Sequence, residues 1–127
     1  MTDKTPGFDT HEKLMSTSEL EKSKPHIVVE IIEYVPNSVL SKTIIKKTTG
    51  NITVMSFDTG EELTERISPF DSFVQVIDGN AEILIDGKSI AVKLGQGLII
   101  PAHALSMIRA HERFKMILTV IKSGYES

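Results

Sequence analysis

At 127 residues the chain is long enough for one hydrophobic core and too short for two self-sufficient domains, so a single pocket is expected. A formal net charge of −3 gives no basic field for phosphates and argues against a nucleic-acid partner, while the absence of cysteine excludes disulfides, thiol catalysis and thiolate-bound zinc. No stretch has the apolar length of a signal peptide or a membrane span, which points to a cytoplasmic protein with no membrane association.

Residues 1–25 are polar, carry Pro6, Gly7 and Pro25, and read as a flexible or partly helical arm. Within the arm, Ser16 and Glu19 have the spacing of a capping box that could start a short helix. From His26 the texture changes, and residues 26–127 read as one β-barrel domain. The stretch His26 to Tyr34 (HIVVEIIEY) reads as a long apolar strand. After it come SVLSKTIIKK, NITVMSF, SFVQVI, AEILI, SIAVKL, GLIIP and FKMILTVIK, short aliphatic and β-branched runs parted by turn residues. Four breaks, at Thr49-Gly50-Asn51, Asp58-Thr59-Gly60, Asp78-Gly79-Asn80 and Asp86-Gly87-Lys88, place Gly beside Asp, Asn or Thr and read as hairpin turns.

Ala81, Ile83 and Ile85 alternate with Glu82 and Asp86, the mark of a half-buried strand. Ile117 to Ile121 is apolar on both faces and needs a second covering layer, which a dimer partner could supply. Many short strands without a convincing helix favour a barrel or jelly-roll sandwich.

The spacing of Gly60, Gly79, Gly95 and Pro101 resembles the cupin family. That family carries Gly, five residues, His-x-His, three or four residues, Glu, six residues, Gly, and then Gly, five residues, Pro-x-Gly, two residues, His, three residues, Asn. Here Gly60, EELTE, Arg66-Ile67-Ser68, PFD, Ser72, FVQVID and Gly79 follow the first frame without a gap. Gly95, QGLII, Pro101-Ala102-His103, Ala104-Leu105, Ser106, Met107-Ile108-Arg109 and Ala110 follow the second. The stretches SKTIIKKTTGNITVMSF and ERFKMILTVIK are further similar to small single-domain, RmlC-like cupins of bacteria and archaea. The resemblance implies an all-β fold, a double-stranded β-helix or jelly-roll barrel, and pairing of two copies as a homodimer.

Carried over position by position, the family's metal ligands become Arg66, Ser68, Ser72 and Ser106. Neutral hydroxyls are feeble ligands and a permanently charged guanidinium repels a cation, so neither a metal nor another cofactor is expected. The family geometry would turn these four side chains inward as a cationic group ringed by hydroxyls, a set that suits an anion. Val74 and Val76 after Ser72, and Ile108 after Ser106, would share the inward face and make an apolar cup. His103 stands where the second motif has glycine and is the weak candidate for an acid or base beside Ser106.

Three functions compete on these residues. The first is a metal-free barrel binding a small anionic or polar organic molecule through Arg66, Ser68, Ser72, Val74, Val76, His103, Ser106 and Ile108. The second is an enzyme, using His103 alone or a metal held by His103 with two of Glu61, Glu62, Glu65, His111 and Glu112. The third is a structural or regulatory dimer with a closed barrel, in which Arg66 sits at the mouth and pairs with Glu62, Glu65 or Asp71.

Overall fold

The computed structural model describes residues 15–16 and 19–122. The expectations for residues 1–14, 17–18 and 123–127 lie outside the described residues. Among the described residues the strands are β1 (Met15–Ser16), β2 (Val39–Lys47), β3 (Gly50–Phe57), β4 (Glu62–Ile67), β5 (Asp71–Asp78), β6 (Ala81–Ile85), β7 (Lys88–Val92), β8 (Gly97–Ile100), β9 (Leu105–Arg109) and β10 (Phe114–Ile121). They form a six-stranded sheet in the order β1-β2-β3-β10-β5-β8 and a four-stranded sheet in the order β4-β9-β6-β7. Every pairing is antiparallel except that of β1 with β2. The result is the expected all-β jelly-roll barrel.

Alternation builds the core. Phe57, Val74, Val76, Ile83, Phe114 and Met116 point between the sheets and are almost wholly shielded from solvent. The rings of Phe57 and Phe114 stack with centroids 4.4 Å apart, joining β3 to β10 at one end of the barrel.

Two of the four glycine turns are hairpins, joining β2 to β3 and β6 to β7. The other two are crossings between sheets, since β3 and β4 lie in different sheets, as do β5 and β6. A left-handed glycine reverses the chain equally well in either setting, so turn chemistry alone does not say which strands pair. Gly79 shows the constraint most sharply: its φ is 72°, and a Cβ there would strike the carbonyl oxygen of Arg113.

The stretch from His26 to Tyr34 is not a strand. It holds a 3-10 turn at Val28–Glu30, and its apolar residues pack on the outer face of the six-stranded sheet. Ile31, Ile32 and Val35 recur at helical rather than strand spacing, and with Leu40, Ile44, Val54, Ile77 and Ile117 they form a second hydrophobic cluster. Three polar contacts fasten this cap: Ser56 Oγ donates to the carbonyl of Glu33 (2.8 Å), Tyr34 Oη donates to Asp78 (2.6 Å), and Lys115 Nζ donates to the carbonyl of Val29 (2.6 Å). Burial, then the bond to Asp78, raises the Tyr34 pKa well above its usual value. Part of the second layer over Ile117 thus comes from the chain itself.

Ser16 does not open a helix. It lies in β1 beside Lys42, and Glu19 accepts the backbone N–H of Lys46 (2.7 Å) instead of closing a capping box. Among the described residues no helix is long and apolar enough to cross a membrane.

Candidate functional site

A cavity of about 390 Å³ opens between the two sheets at the end of the barrel where β4 finishes and β5 and β9 begin. Its floor is apolar, formed by Leu63, Ile108 and Leu118. Above them Arg66, Ser72, Ser106, Asn51 and Thr53 add polar groups, and Ser68, Phe70, Ile100, Pro101, Ala104, Val120 and Lys122 complete the described lining.

Arg66 enters the cavity because β4 is irregular. Leu63 faces Ile108 and Arg66 faces Ser106, so three steps along β4 match two along β9. Strict alternation would send Leu63 and Arg66 to opposite faces. The extra residue at Thr64-Glu65 turns both toward the interior. Arg66 and Ser106 are therefore direct cross-strand neighbours.

Among the described residues no carboxylate competes for that guanidinium. Glu62 pairs with Arg109 (3.5 Å), and Asp71 accepts the backbone N–H of Ala102 (2.8 Å). Among the described residues Arg66 makes no ion pair, and none of the residues lining the cavity is acidic. The expected alternative, Arg66 paired with Glu62, Glu65 or Asp71, is thus not what the structure holds.

The mouth is fixed by backbone bonds. Ser68 Oγ accepts the N–H of Phe70 (3.1 Å), which leaves its own proton available, and the carbonyl of Ser68 accepts the N–H of His103 (2.7 Å). Ser106 is 8 % exposed, and its hydroxyl has no partner among the described residues. A buried hydroxyl without a protein partner is uncommon and needs a ligand or water to satisfy it.

The structure thus brings Arg66, Ser68, Ser72, Ser106 and Ile108 into one lining, but not Val74, Val76 or His103. Val74 and Val76 do face inward, yet they are packed into the core with Met116 and offer the cavity no surface. His103 is exposed with φ at 71°, holding the left-handed backbone of the glycine it replaces, so its side chain leaves the turn toward solvent. Sequence reasoning missed Asn51, Thr53, Phe70 and Lys122. For Lys122 a signal existed: Phe114, Met116, Leu118 and Val120 point inward at every second position, and Lys122 continues the series.

The donors do not fit a metal ion. Arg66 and serines hold the four family positions, and the substitute ligands are engaged or remote: His111 Nε2 meets Glu82 (2.6 Å), Glu112 accepts from Asn80 (2.7 Å) and Glu62 binds Arg109. Among the described residues no three His, Asp or Glu side chains converge. Glu82 lies between β9 and β7 on the solvent side, where Ser89 and then His111 hold its carboxyl below the ordinary pKa.

This arrangement defines a small antiparallel barrel whose interior is open at one end. Similar solved structures include a conserved protein of unknown function from Streptococcus pyogenes, 32% identical with a TM-score of 0.78, spanning 83% of this chain and 92% of that one. A cupin 2 conserved barrel domain protein from Leptotrichia buccalis is 35% identical with a TM-score of 0.72, over 74% of this chain and 46% of the other. A cupin superfamily protein from Desulfitobacterium hafniense is 28% identical with a TM-score of 0.77, over 82% and 95%. The chain belongs to the cupin superfamily. Among curated proteins it is 29% identical to the polyketide synthase CurC of Streptomyces cyaneus over 65% of its own length, and it spans 58% of that relative. No family model matches the chain.

Proposed function

We propose that this protein is a metal-free cupin-type barrel that takes a small organic anion into its interior. Arg66 supplies the charge, and the hydroxyls of Ser68, Ser72 and Ser106 supply donors. The observation that carries the reading is the Ser106 hydroxyl, 8 % exposed and directly across from Arg66, neither side chain having a partner among the described residues. Binding is favoured over turnover because, among the described residues, the lining carries no His, Asp, Glu or Cys to move a proton.

Calorimetry and thermal shift against a panel of small carboxylic acids test this reading. A charge-assisted hydrogen bond contributes about 1.5–3 kcal/mol, so Arg66→Ala should weaken the best acid by roughly 10- to 150-fold. Loss of the thermal shift in that variant supports the pocket. A stoichiometric transition metal in the purified protein, or an affinity indifferent to Arg66→Ala, would overturn it.

Pairing of two copies is part of the same proposal. Ile45, Ile52, Thr119, Phe73 and Ile99 lie in register across the outer face of the six-stranded sheet, and Ile99 is 62 % exposed. Sedimentation should give a dimer that Phe73→Glu dissociates; a monomeric unaltered protein would refute the pairing.

A further inference from the structure

The anion reading uses one cation, but the described residues of the cavity include two. Lys122 follows β10, on the wall opposite Arg66, which belongs to β4 of the four-stranded sheet. Its backbone N–H donates to the carbonyl of Thr49 (2.8 Å), which fixes the strand end, and its ammonium lies 5.9 Å from the centre of the Phe70 ring. Like Arg66, it has no ion pair among the described residues.

The polar groups divide between the two walls. Arg66 and Ser106 face each other on the four-stranded sheet, and Lys122 shares the six-stranded wall with Asn51 and Thr53. Apolar Leu63, Ile108, Leu118 and Val120 occupy the interior between them. Two positive side chains in one mouth repel each other, and a single negative charge can neutralise only one of them. A molecule with an anionic group at each end and hydrocarbon between satisfies both walls and leaves no charge facing an apolar residue.

Resting on the binding reading above, we infer that the ligand is a short aliphatic dicarboxylate. One carboxylate sits on Arg66 and Ser106, and the other on Lys122 with Asn51 and Thr53. Packed sheets lie about 10 Å apart and Arg66 and Lys122 line the cavity from opposite walls, so a chain of about four to six carbons spans the two sites. The net charge of the whole chain is −3, yet the mouth is positive, which concentrates a dianion there against the overall field.

Calorimetric titration of the full chain at near-neutral pH with succinate, glutarate and adipate, beside butyrate, pentanoate and hexanoate as length-matched monoacids, decides the matter. The expected result is a dicarboxylate that binds at least about tenfold more tightly than its monoacid. Lys122→Met should erase that difference, and Lys122→Arg should restore it. Circular dichroism melts of both variants confirm that they fold. Equal affinity for matched diacid and monoacid, or a preference that survives Lys122→Met, overturns the dicarboxylate while leaving the anion site intact. No binding of any acid, or binding indifferent to Arg66→Ala, instead removes the reading on which it rests.

Discussion

Lys115 is a lysine on the outer face of β10 with only 8 % of its surface exposed, and its replacement by methionine tests how the cap is held. Its ammonium donates to the Val29 carbonyl at 2.6 Å and lies 4.8 Å from the centre of the Tyr34 ring. Removing the donor leaves a half-buried carbonyl unpaired, at a cost of about 1–3 kcal/mol, and loss of the cation–π contact adds about 0.5–1 kcal/mol. Methionine keeps the apolar stem and removes the need to strip water from an ammonium, which returns roughly 1 kcal/mol or more. The net expectation is destabilisation by about 0.5–3 kcal/mol, or a fall in Tm of roughly 2–12 °C for a chain of this size. Circular dichroism melts give the global value, and hydrogen exchange locates it: amides from Ile27 to Val35 should exchange faster while those of β3 and β5 stay protected. A Lys115→Met protein as stable as the unaltered one, with the same protection across the cap, would refute the idea that this lysine fastens it.

Other expectations concern the cavity and the acid limb of stability. Ser106→Ala removes a buried hydroxyl that has no partner among the described residues, so the ligand-free protein should be unchanged or up to about 1 kcal/mol more stable while its affinity for a small acid falls; a destabilised variant with intact binding contradicts the site. Asp58 is held at about 2 by the backbone N–H of Asn37, then by Arg113 and the N–H of Thr59. Because its folded pKa lies below the ordinary 3.8, its contribution to stability is complete above about pH 4 and is lost as the pH falls toward about 2. Asp58→Asn should flatten the dependence of Tm on pH in that window, and an unchanged slope would show that the carboxylate is not responsible.

Most strands were legible because their inner residues alternate and their ends carry turn chemistry: Ala81, Ile83 and Ile85 in β6 fit that description, as does β3 up to Phe57. β4 was harder, since Glu62–Ile67 is mostly polar and its added residue breaks the alternation that would orient Arg66. The inward direction of Arg66 came from the motif frame alone. His103 misled because a residue type does not reveal its backbone, and at a φ of 71° it occupies a glycine's place with its ring outside. The stretch from His26 to Tyr34 misled for another reason: its composition suits a strand, but its apolar residues pack better as a cap over Leu40 and Val54 than as a paired edge.

The two sides of the large sheet share their strands residue by residue. Ile52 stands between Asn51 and Thr53, Phe73 follows Ser72, and Thr119 precedes Val120, so the outward row and the cavity lining alternate along the same three backbones. The cap already covers the neighbouring rows through Val54, Ile77 and Ile117, so the uncovered apolar row of this face lies at the level of the cavity. Under the proposed binding and pairing, a strand that shifts to grip a guest on its inner side would carry its outer residue with it and so tie occupancy to assembly.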